Sequence, residues 1–288
     1  MISIIIRTKN EEKWISACLR SIFSQSLKDF EIIIVDNYST DKTIFYAKKF
    51  KVKVVKIKKY LPGKALNLGI RKSAGDIIVI LSAHCIPTHN KWLNNLTKDL
   101  KNKDVAGVYG RQQPLSFSSD FDKRDLLNFF GLDKKIQKRD SFFHNANSAI
   151  KREVWKKFKF NEVISNIEDR VWGEQVIENN MKLVYEPKAS VYHYHGIHQD
   201  MDPIRAKNIV RILEDLNKKK YKNINKNKSN KPHVICIIPI SGKSLKIGKE
   251  HILKNTIESA FSSKYVNKVF VATDNKYTAN LSKKYGAK

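Results

Sequence analysis

Short β-branched runs alternate with amphipathic stretches through the first third of the chain. Residues 2–6 predict a strand, and 12–24 predict a helix with Trp14, Ile15, Cys18, Leu19 and Ile22 on one face. A strand over 31–35 follows, after which Ser39, Thr40 and Asp41 offer caps for a helix over 44–50. A third strand at 53–57, a helix at 64–73 and a fourth strand at 76–81 continue the alternation. Strands and helices at this spacing mean βαβ units and a mostly parallel sheet.

Beyond Pro87 the pattern loosens. A helix is expected at 92–100 and a strand at 105–109, whereas 111–141 is polar and aromatic without clear strands, as in a mobile acceptor-side region. Helices are expected at 149–158 and 169–180, with strands at 182–185 and 189–195. Residues 217–231 read NKKKYKNINKNKSNK, which carries almost no hydrophobic anchor and is expected to be a linker. The expected domains are therefore 1–216, the lysine-rich linker at 217–231, and a partial second α/β domain at 232–288 that resembles one cut short.

Composition adds two constraints. The 288 residues carry a formal charge of +27, which points to a polyanionic partner or to a lysine bias spread over solvated faces. No nucleic-acid-binding motif accompanies that charge, so no nucleic acid partner is expected. The apolar runs are too short to cross a bilayer, and the three scattered cysteines, Cys18, Cys85 and Cys236, give no disulfide framework. With no signal-peptide pattern, a reducing cytoplasm is the expected location.

The candidate chemistry collects at strand ends. Arg7 to Glu11 follow the first strand, Asp36 to Asp41 the second, and Ser82-Ala83-His84-Cys85 the fourth. In an open parallel sheet these would share one edge, where ligands bind. Asp36 is placed to accept hydrogen bonds from a ribose or base, while Asp41 is accounted for as a helix cap. Glu168 and Asp169, at a helix start, either complement the helix dipole or supply a general base. Alternation puts His193 and His195 on one face, as packed imidazoles or, with His84, as metal ligands. Cys85 has no evident base beside it, so it is expected to be a packed thiol rather than a nucleophile.

These features in this order resemble glycosyltransferase family 2, the inverting enzymes of GT-A fold. The resemblance spans roughly residues 1–199. It rests on SIIIRTKNEEKWISACLRSIFSQSLKDFEIIIVDNYSTDKT, on PGKALNLGIRKSAGD and on the Glu168-Asp169 pair. It implies a GT-A-like α/β domain whose mostly parallel sheet is flanked by helices. It also implies that Thr8, Glu11 and Asp36 hold the base and ribose of a nucleotide-sugar donor, that Asp76 helps close that pocket, and that Asn67 lies in the bordering helix. Asp169, with Glu168 beside it, becomes the base that deprotonates the acceptor hydroxyl.

In the family, the fourth strand runs into Asp-x-Asp, which brings a divalent cation to the donor diphosphate. Here those positions are Ser82-Ala83-His84. His84 then replaces the second aspartate, and His193 corresponds to a histidine that often completes the site. A metal held by His84 and His193 would favour manganese or zinc over magnesium, because imidazole is a poorer ligand for hard cations. Without a metal, His84 becomes a direct hydrogen-bond donor to the diphosphate.

The C-terminal piece, IIPISGKSLKIGKEHIL followed by TIESAFSSKYVNKVFVATDN and KKYGA, resembles the start of a cytidylyltransferase that makes CMP-activated acidic sugars. It departs from that pattern at Ser241 and Leu245, where the family places an arginine and a lysine, although Lys243 and Lys246 stand nearby. The pairing implies surface polysaccharide or lipopolysaccharide assembly. The expected partners are the nucleotide-sugar, a glycan or lipid-linked acceptor, and an anionic membrane surface at whose inner face the protein would sit. Two rival readings remain: a catalytically degenerate nucleotide-sugar-binding module, and a basic nucleic-acid-binding protein.

Overall fold

The computed structural model describes residues 1–196, 203–224, 234–247 and 250–288. The chain divides into two compact units, Met1–Leu216 and Asn217–Lys288. The first unit begins with β1 (Ile2–Thr8), α1 (Ile15–Phe23), β2 (Phe30–Asp36), α2 (Thr43–Ala47), β3 (Lys53–Lys56), α3 (Pro62–Arg71) and β4 (Ile77–Ser82). It continues through β5 (Cys85–Pro87), α4 (Trp92–Thr97), β6 (Val105–Pro114), α5 (Asp120–Phe129), β7 (Lys135–Gln137) and β8 (Asn147–Lys151). The elements α6 (Arg152–Lys157), α7 (Glu168–Glu178), β9 (Lys182–His193) and α8 (Pro203–Ile224) follow.

Nine strands form one sheet in the order β3-β2-β1-β4-β8-β6-β9-β5, with β7 paired to β9. The first four are parallel, and their register sets Thr8 beside Asp36 and Arg7 beside Ser82. The carboxyl ends of β1, β2 and β4 therefore form one edge, as the strand pattern predicts. On one face, Ile4, Ile6 and Val79 pack against Leu19 and Ile22 of α1 and Trp92 and Leu96 of α4. On the other, Ile5, Ile33 and Ile80 pack against Leu66 and Ile70 of α3 and Trp172 of α7. This two-sided burial explains why the early strands read as continuous apolar runs rather than alternating ones.

Four expectations need correction. Residues 149–158 are not one helix: β8 is fully buried between β4 and β6, antiparallel to both, and the helix starts only at Arg152. A short apolar run cannot be told from a helix turn by periodicity alone, and here its place inside the sheet decides. The two strands expected at 182–185 and 189–195 are one, β9, because Pro187 sits at an irregularity in the β6–β9 pairing, a position that tolerates proline. A Cβ on Gly110 at that irregularity would run into the carbonyl of Ala189, so only glycine permits this approach. The region 111–141 is also more regular than expected. β6 reaches Pro114, and Ser119 caps α5 by accepting the amide of Asp122 at 3.2 Å. Finally, α8 runs through Ile224, so the first part of the expected linker is helical; the rest, 225–231, lies outside the described residues.

The second unit contains β10 (Val234–Ile240), β11 (Lys246–Ile247), β12 (Glu250–His251), α9 (Ile252–Ser262), β13 (Val266–Thr273) and α10 (Lys276–Lys284). β10 and β13 are parallel and joined through α9, a single βαβ unit. Its small core joins Leu253, Ile257 and Val269. The opposite strand positions, Ile235, Ile237 and Phe270, stay exposed.

Candidate active site

The sheet edge assembles from three strand ends. Asp36, 1 % exposed, accepts the amide of Ser39 at 3.1 Å and its hydroxyl at 2.6 Å, so its carboxylate closes its own turn. Two oxygens offer about four acceptor positions, which leaves capacity for a ligand. Thr8 is paired with it across the sheet, and the buried Thr8 hydroxyl has no hydrogen-bond partner among the described residues. Asp41 accepts the amides of Thr43 and Glu12, both at 3.0 Å, which fits its reading as a cap.

Beside this edge stands a group of imidazoles. His84 occupies the turn between β4 and β5, and the antiparallel pairing of Cys85 with His193 brings the end of β9 next to it. His195 joins them, and one ring nitrogen from each of the three lies within 4.8 Å of the others. His193 is 2 % exposed, and neither of its ring nitrogens has a partner among the described residues. Burial, reinforced by the neighbouring His84 and His195, drives its pKa well below the usual imidazole value and keeps it neutral. A buried polar atom without a partner costs roughly 1–3 kcal/mol, so an imidazole with two such atoms marks a site that a ligand completes. Neutral nitrogen donors in this number fit a borderline divalent cation.

The carboxylate pair opens α7. Ile167, just before it, takes φ 53° and ψ 29°, a left-handed conformation that a β-branched residue adopts only when its surroundings force it. Glu168 is buried, and Arg7 donates to its Oε1 at 2.9 Å with Asn145 Nδ2 at 3.3 Å. Asp169 accepts the amides of Asn145 at 3.0 Å and Arg170 at 2.8 Å. Burial raises the pKa of both carboxyls above their ordinary values, against these stabilising bonds. Both are therefore more basic than ordinary carboxylates, and Glu168 is in addition held by Arg7 and Asn145 at the helix start.

A cavity of ≈ 520 Å³ joins these groups: Arg7, Ser82, His84, Glu168, Asp169, His193 and His195 all line it. Apolar side chains complete it, among them Phe129, Phe142 and Phe143, with Ile209, Val210 and Leu213 from α8. His144 also lines it, accepting from Gln112 Nε2 at 2.9 Å through Nδ1, with burial pushing its pKa down to about 4.

Several expected donor residues lie elsewhere. Asp76 precedes β4, where its amide bonds the carbonyl of Met1, so it sits at the amino end of the sheet. Six strand residues at about 3.3 Å each place it about 20 Å from the edge that carries Ser82. It cannot close a pocket there. Asn67 is wholly buried and its amide is saturated: it donates to the Phe160 carbonyl and to Glu162 and accepts from the Trp155 indole and the Phe160 amide. It ties α3 to the segment after α6 and has nothing left for a donor. Glu11 turns to His84, its Oε1 lying 2.7 Å from His84 Nδ1. Cys85 is buried, and burial raises its thiol pKa well above normal, which suits the packed reading. Sequence reasoning missed the roles of Arg7 and Asn145, whose partners are more than a hundred and about twenty residues away. The family resemblance named only His84 and His193 for the metal, whereas the alternation that put His195 on the same face matches the cluster the structure forms.

The sequence profile described as glycosyl transferase family 2 matches residues 3–158. Over 122 residues the chain is 40% identical to a dolichyl N-acetylglucosaminyl phosphate diacetamido-dideoxyglucuronosyltransferase of Methanococcus voltae, covering 38% of each chain. It is 24% identical over 209 residues to an O-antigen chain rhamnosyltransferase of Salmonella typhimurium, covering 68% of this chain and 67% of that one. Among solved structures it is similar to a mannosyltransferase of Pyrobaculum calidifontis in complex with GDP-mannose and Mn2+, with TM-score 0.56, 21% identity, and coverage of 67% of this chain and 56% of that one. A second is TarS of Staphylococcus aureus in complex with UDP-GlcNAc, with TM-score 0.54, 19% identity, and coverage of 70% and 61%. These likenesses place the sheet and its helices in the GT-A fold. With more than half of its residues matched by the profile, and the strand-end groups in the same order, the chain belongs to glycosyltransferase family 2.

Proposed function

We propose that the chain transfers a sugar from a nucleotide-sugar to a hydroxyl acceptor with inversion at the anomeric carbon, in the assembly of a surface polysaccharide or lipopolysaccharide. The observation that carries this reading is Asp169: a carboxylate of raised pKa that lines a cavity also bordered by His84 and His193. Thr8 and Asp36, at the adjoining strand ends, would hold the nucleoside. Asp169 takes the proton of the acceptor hydroxyl, whose oxygen forms a bond to the anomeric carbon from the face opposite the nucleotide. The bond to the diphosphate breaks, and the nucleoside diphosphate leaves with the electron pair. A divalent cation held by His84 and His193, manganese rather than magnesium, would neutralise charge on that leaving group. Thermal shift against a panel of nucleotide-sugars tests the reading, because a specific donor stabilises the fold by mass action. A flat response to every donor, with the protein folded, would overturn it.

We also propose an amphipathic, lipid-linked acceptor met at an anionic membrane surface. Exposed Phe121, Arg124 and Leu127 recur at helical spacing on α5, and exposed Phe117, Leu132 and Ile136 flank them with Lys134 and Lys135. Phe129, also exposed, lines the cavity, so this surface reaches the reaction site. Apolar residues interleaved with cations are the chemistry of interfacial binding. Among the described residues no helix is long and apolar enough to cross a membrane. For the second unit, its βαβ opening supports a cytidylyltransferase-like start.

A second reading keeps the same pocket without catalysis, favoured by Ser82-Ala83-His84 where the family has Asp-x-Asp. Donor hydrolysis by the parent protein, absent in Asp169→Asn, excludes it.

A further inference from the structure

We infer that His84, His193 and His195 form a complete three-imidazole site that binds a borderline divalent cation of the zinc class by itself, before any nucleotide-sugar arrives, with Glu11 as its backing carboxylate. The inference shares the sheet edge with the donor reading but does not rest on sugar transfer. Failure of either leaves the other standing.

Three observations carry it. The ligating atoms of the three rings lie within 4.8 Å of one another, and the ring centroids are 4.5 to 5.1 Å apart. That is close enough for one ion to be shared without moving the backbone. His193 supplies two buried nitrogens that no described residue satisfies, and its neighbours in the cluster are rings of the same kind. The tautomers of the other two follow from their partners. Glu11, a carboxylate, accepts at 2.7 Å from His84 Nδ1, and the Gly196 carbonyl accepts at 2.9 Å from His195 Nδ1. A neutral ring that donates through Nδ1 carries its lone pair on Nε2. A carboxylate behind a histidine that ligates through its other nitrogen is the usual support of a metal site, fixing the ring and raising its basicity.

The donor set decides the ion. A shell of three neutral nitrogens is poor for magnesium and calcium, which take oxygen ligands, and good for zinc or cobalt, with manganese weaker. Three protein ligands leave a fourth position open, as in sites that engage a substrate rather than sites that only hold a fold. The replacement of Asp-x-Asp by Ser-Ala-His is then a change of metal class. A cation bridged mainly by the donor's phosphates needs the donor to bind, whereas three imidazoles from the protein do not.

The test uses the full chain, stripped by chelator and dialysed without nucleotide against zinc, cobalt, manganese or magnesium in turn. Expected are one zinc per chain, affinity falling from zinc through manganese to no retained magnesium, and visible d–d absorption from a tetrahedral cobalt form. His195→Ala should lower zinc affinity at least about tenfold, and Glu11→Gln about 10–100-fold while keeping the cobalt spectrum. Circular dichroism checks that each variant folds, and His84→Ala serves if His195→Ala does not. No zinc bound, or zinc bound equally by parent and by folded His84→Ala and His195→Ala, overturns the inference. So does a cation retained only when nucleotide is present.

Discussion

Glu11 and His84 meet at 2.7 Å across two loops that end different strands, β1 and β4. Where the family pattern puts a carboxylate in direct contact with a cation, this chain sets an imidazole in front and a carboxylate one bond behind. The carboxylate stays at the sheet edge, and under the proposed metal reading the donor atom would be nitrogen. That single exchange separates the chemistry of this edge from the Asp-x-Asp version.

Asp169→Asn should abolish transfer while leaving donor affinity nearly intact. An amide cannot take the acceptor's proton, and losing general-base assistance costs about a hundredfold to ten-thousandfold in rate. Glu168 is the next candidate base if Asp169 is not the one, although Arg7 and Asn145 already bond its Oε1. Steady-state rates with acceptor, alongside donor affinity by titration, check this. A variant near the parental rate removes Asp169 from the mechanism.

The raised pKa of Asp169 has two consequences of opposite sign. Activity requires the ionised carboxylate, so the rate should rise with pH through a value above the ordinary aspartate range. Stability runs the other way. A carboxyl whose folded pKa lies above its unfolded one contributes stability that is full below the unfolded pKa and lost as pH rises through the folded value. At neutral pH the ionised group is therefore a burden, and Asp169→Asn should melt higher than the parent there, with the difference vanishing in acid. Melting curves at the two pH values decide it.

Arg7→Ala should destabilise the first unit strongly, by about 3–5 kcal/mol, because it leaves the buried Glu168 charge without its partner. Adding Glu168→Gln should recover part of the loss, since the orphaned charge is then gone. Urea denaturation of the parent, the two single variants and the double variant gives the coupling directly. Independent, additive losses would mean that the pair does not act as a unit.

How much was legible in the sequence follows the range of the interactions. The parallel half was readable because β1, β2 and β4 are apolar on both faces and α1 carries its own stripe of Ile15, Cys18, Leu19 and Ile22. The strand-end groups followed from direction alone, and so did the place of Asp36. Direction equally condemns Asp76, which lies before its strand rather than after it, although the motif around it suggested a pocket residue. β8 was hidden because its five residues, NSAIK, are buried on both faces and show no polar–apolar alternation, and only its neighbours β4 and β6 make it a strand. The links from Arg7 to Glu168 and from Asn67 to Trp155 were beyond reach, since nothing local signals a partner some ninety to a hundred and sixty residues away.

Asn67→Ala should then behave as a structural variant. Removing its amide orphans the buried Trp155 indole N–H and the Phe160 backbone, each costing about 1–3 kcal/mol. Donor affinity of the folded fraction should be unchanged. A variant of parental stability with weakened donor binding would return Asn67 to the pocket.

The α5 surface makes the last prediction. A fluorophore sensitive to polarity, attached at Leu127→Cys in a Cys236→Ser background, should brighten when vesicles containing anionic lipid are added; Cys18 and Cys85 are buried and stay unlabelled. Neutral vesicles should do little, because the cations that bring the protein to the surface then have no partner. With a charge of +27, however, the chain can adhere to anionic lipid through any of its lysines, so sedimentation alone cannot identify the docking face. Salt separates the two contributions. Screening weakens adhesion by scattered lysines, whereas apolar side chains already inside the headgroup layer are held by burial and resist it. Phe121→Glu should therefore abolish the probe signal at raised salt and leave donor binding intact, since Phe121 does not line the cavity. Vesicle binding with a probe that stays in water would assign adhesion to the lysines and leave α5 facing solvent.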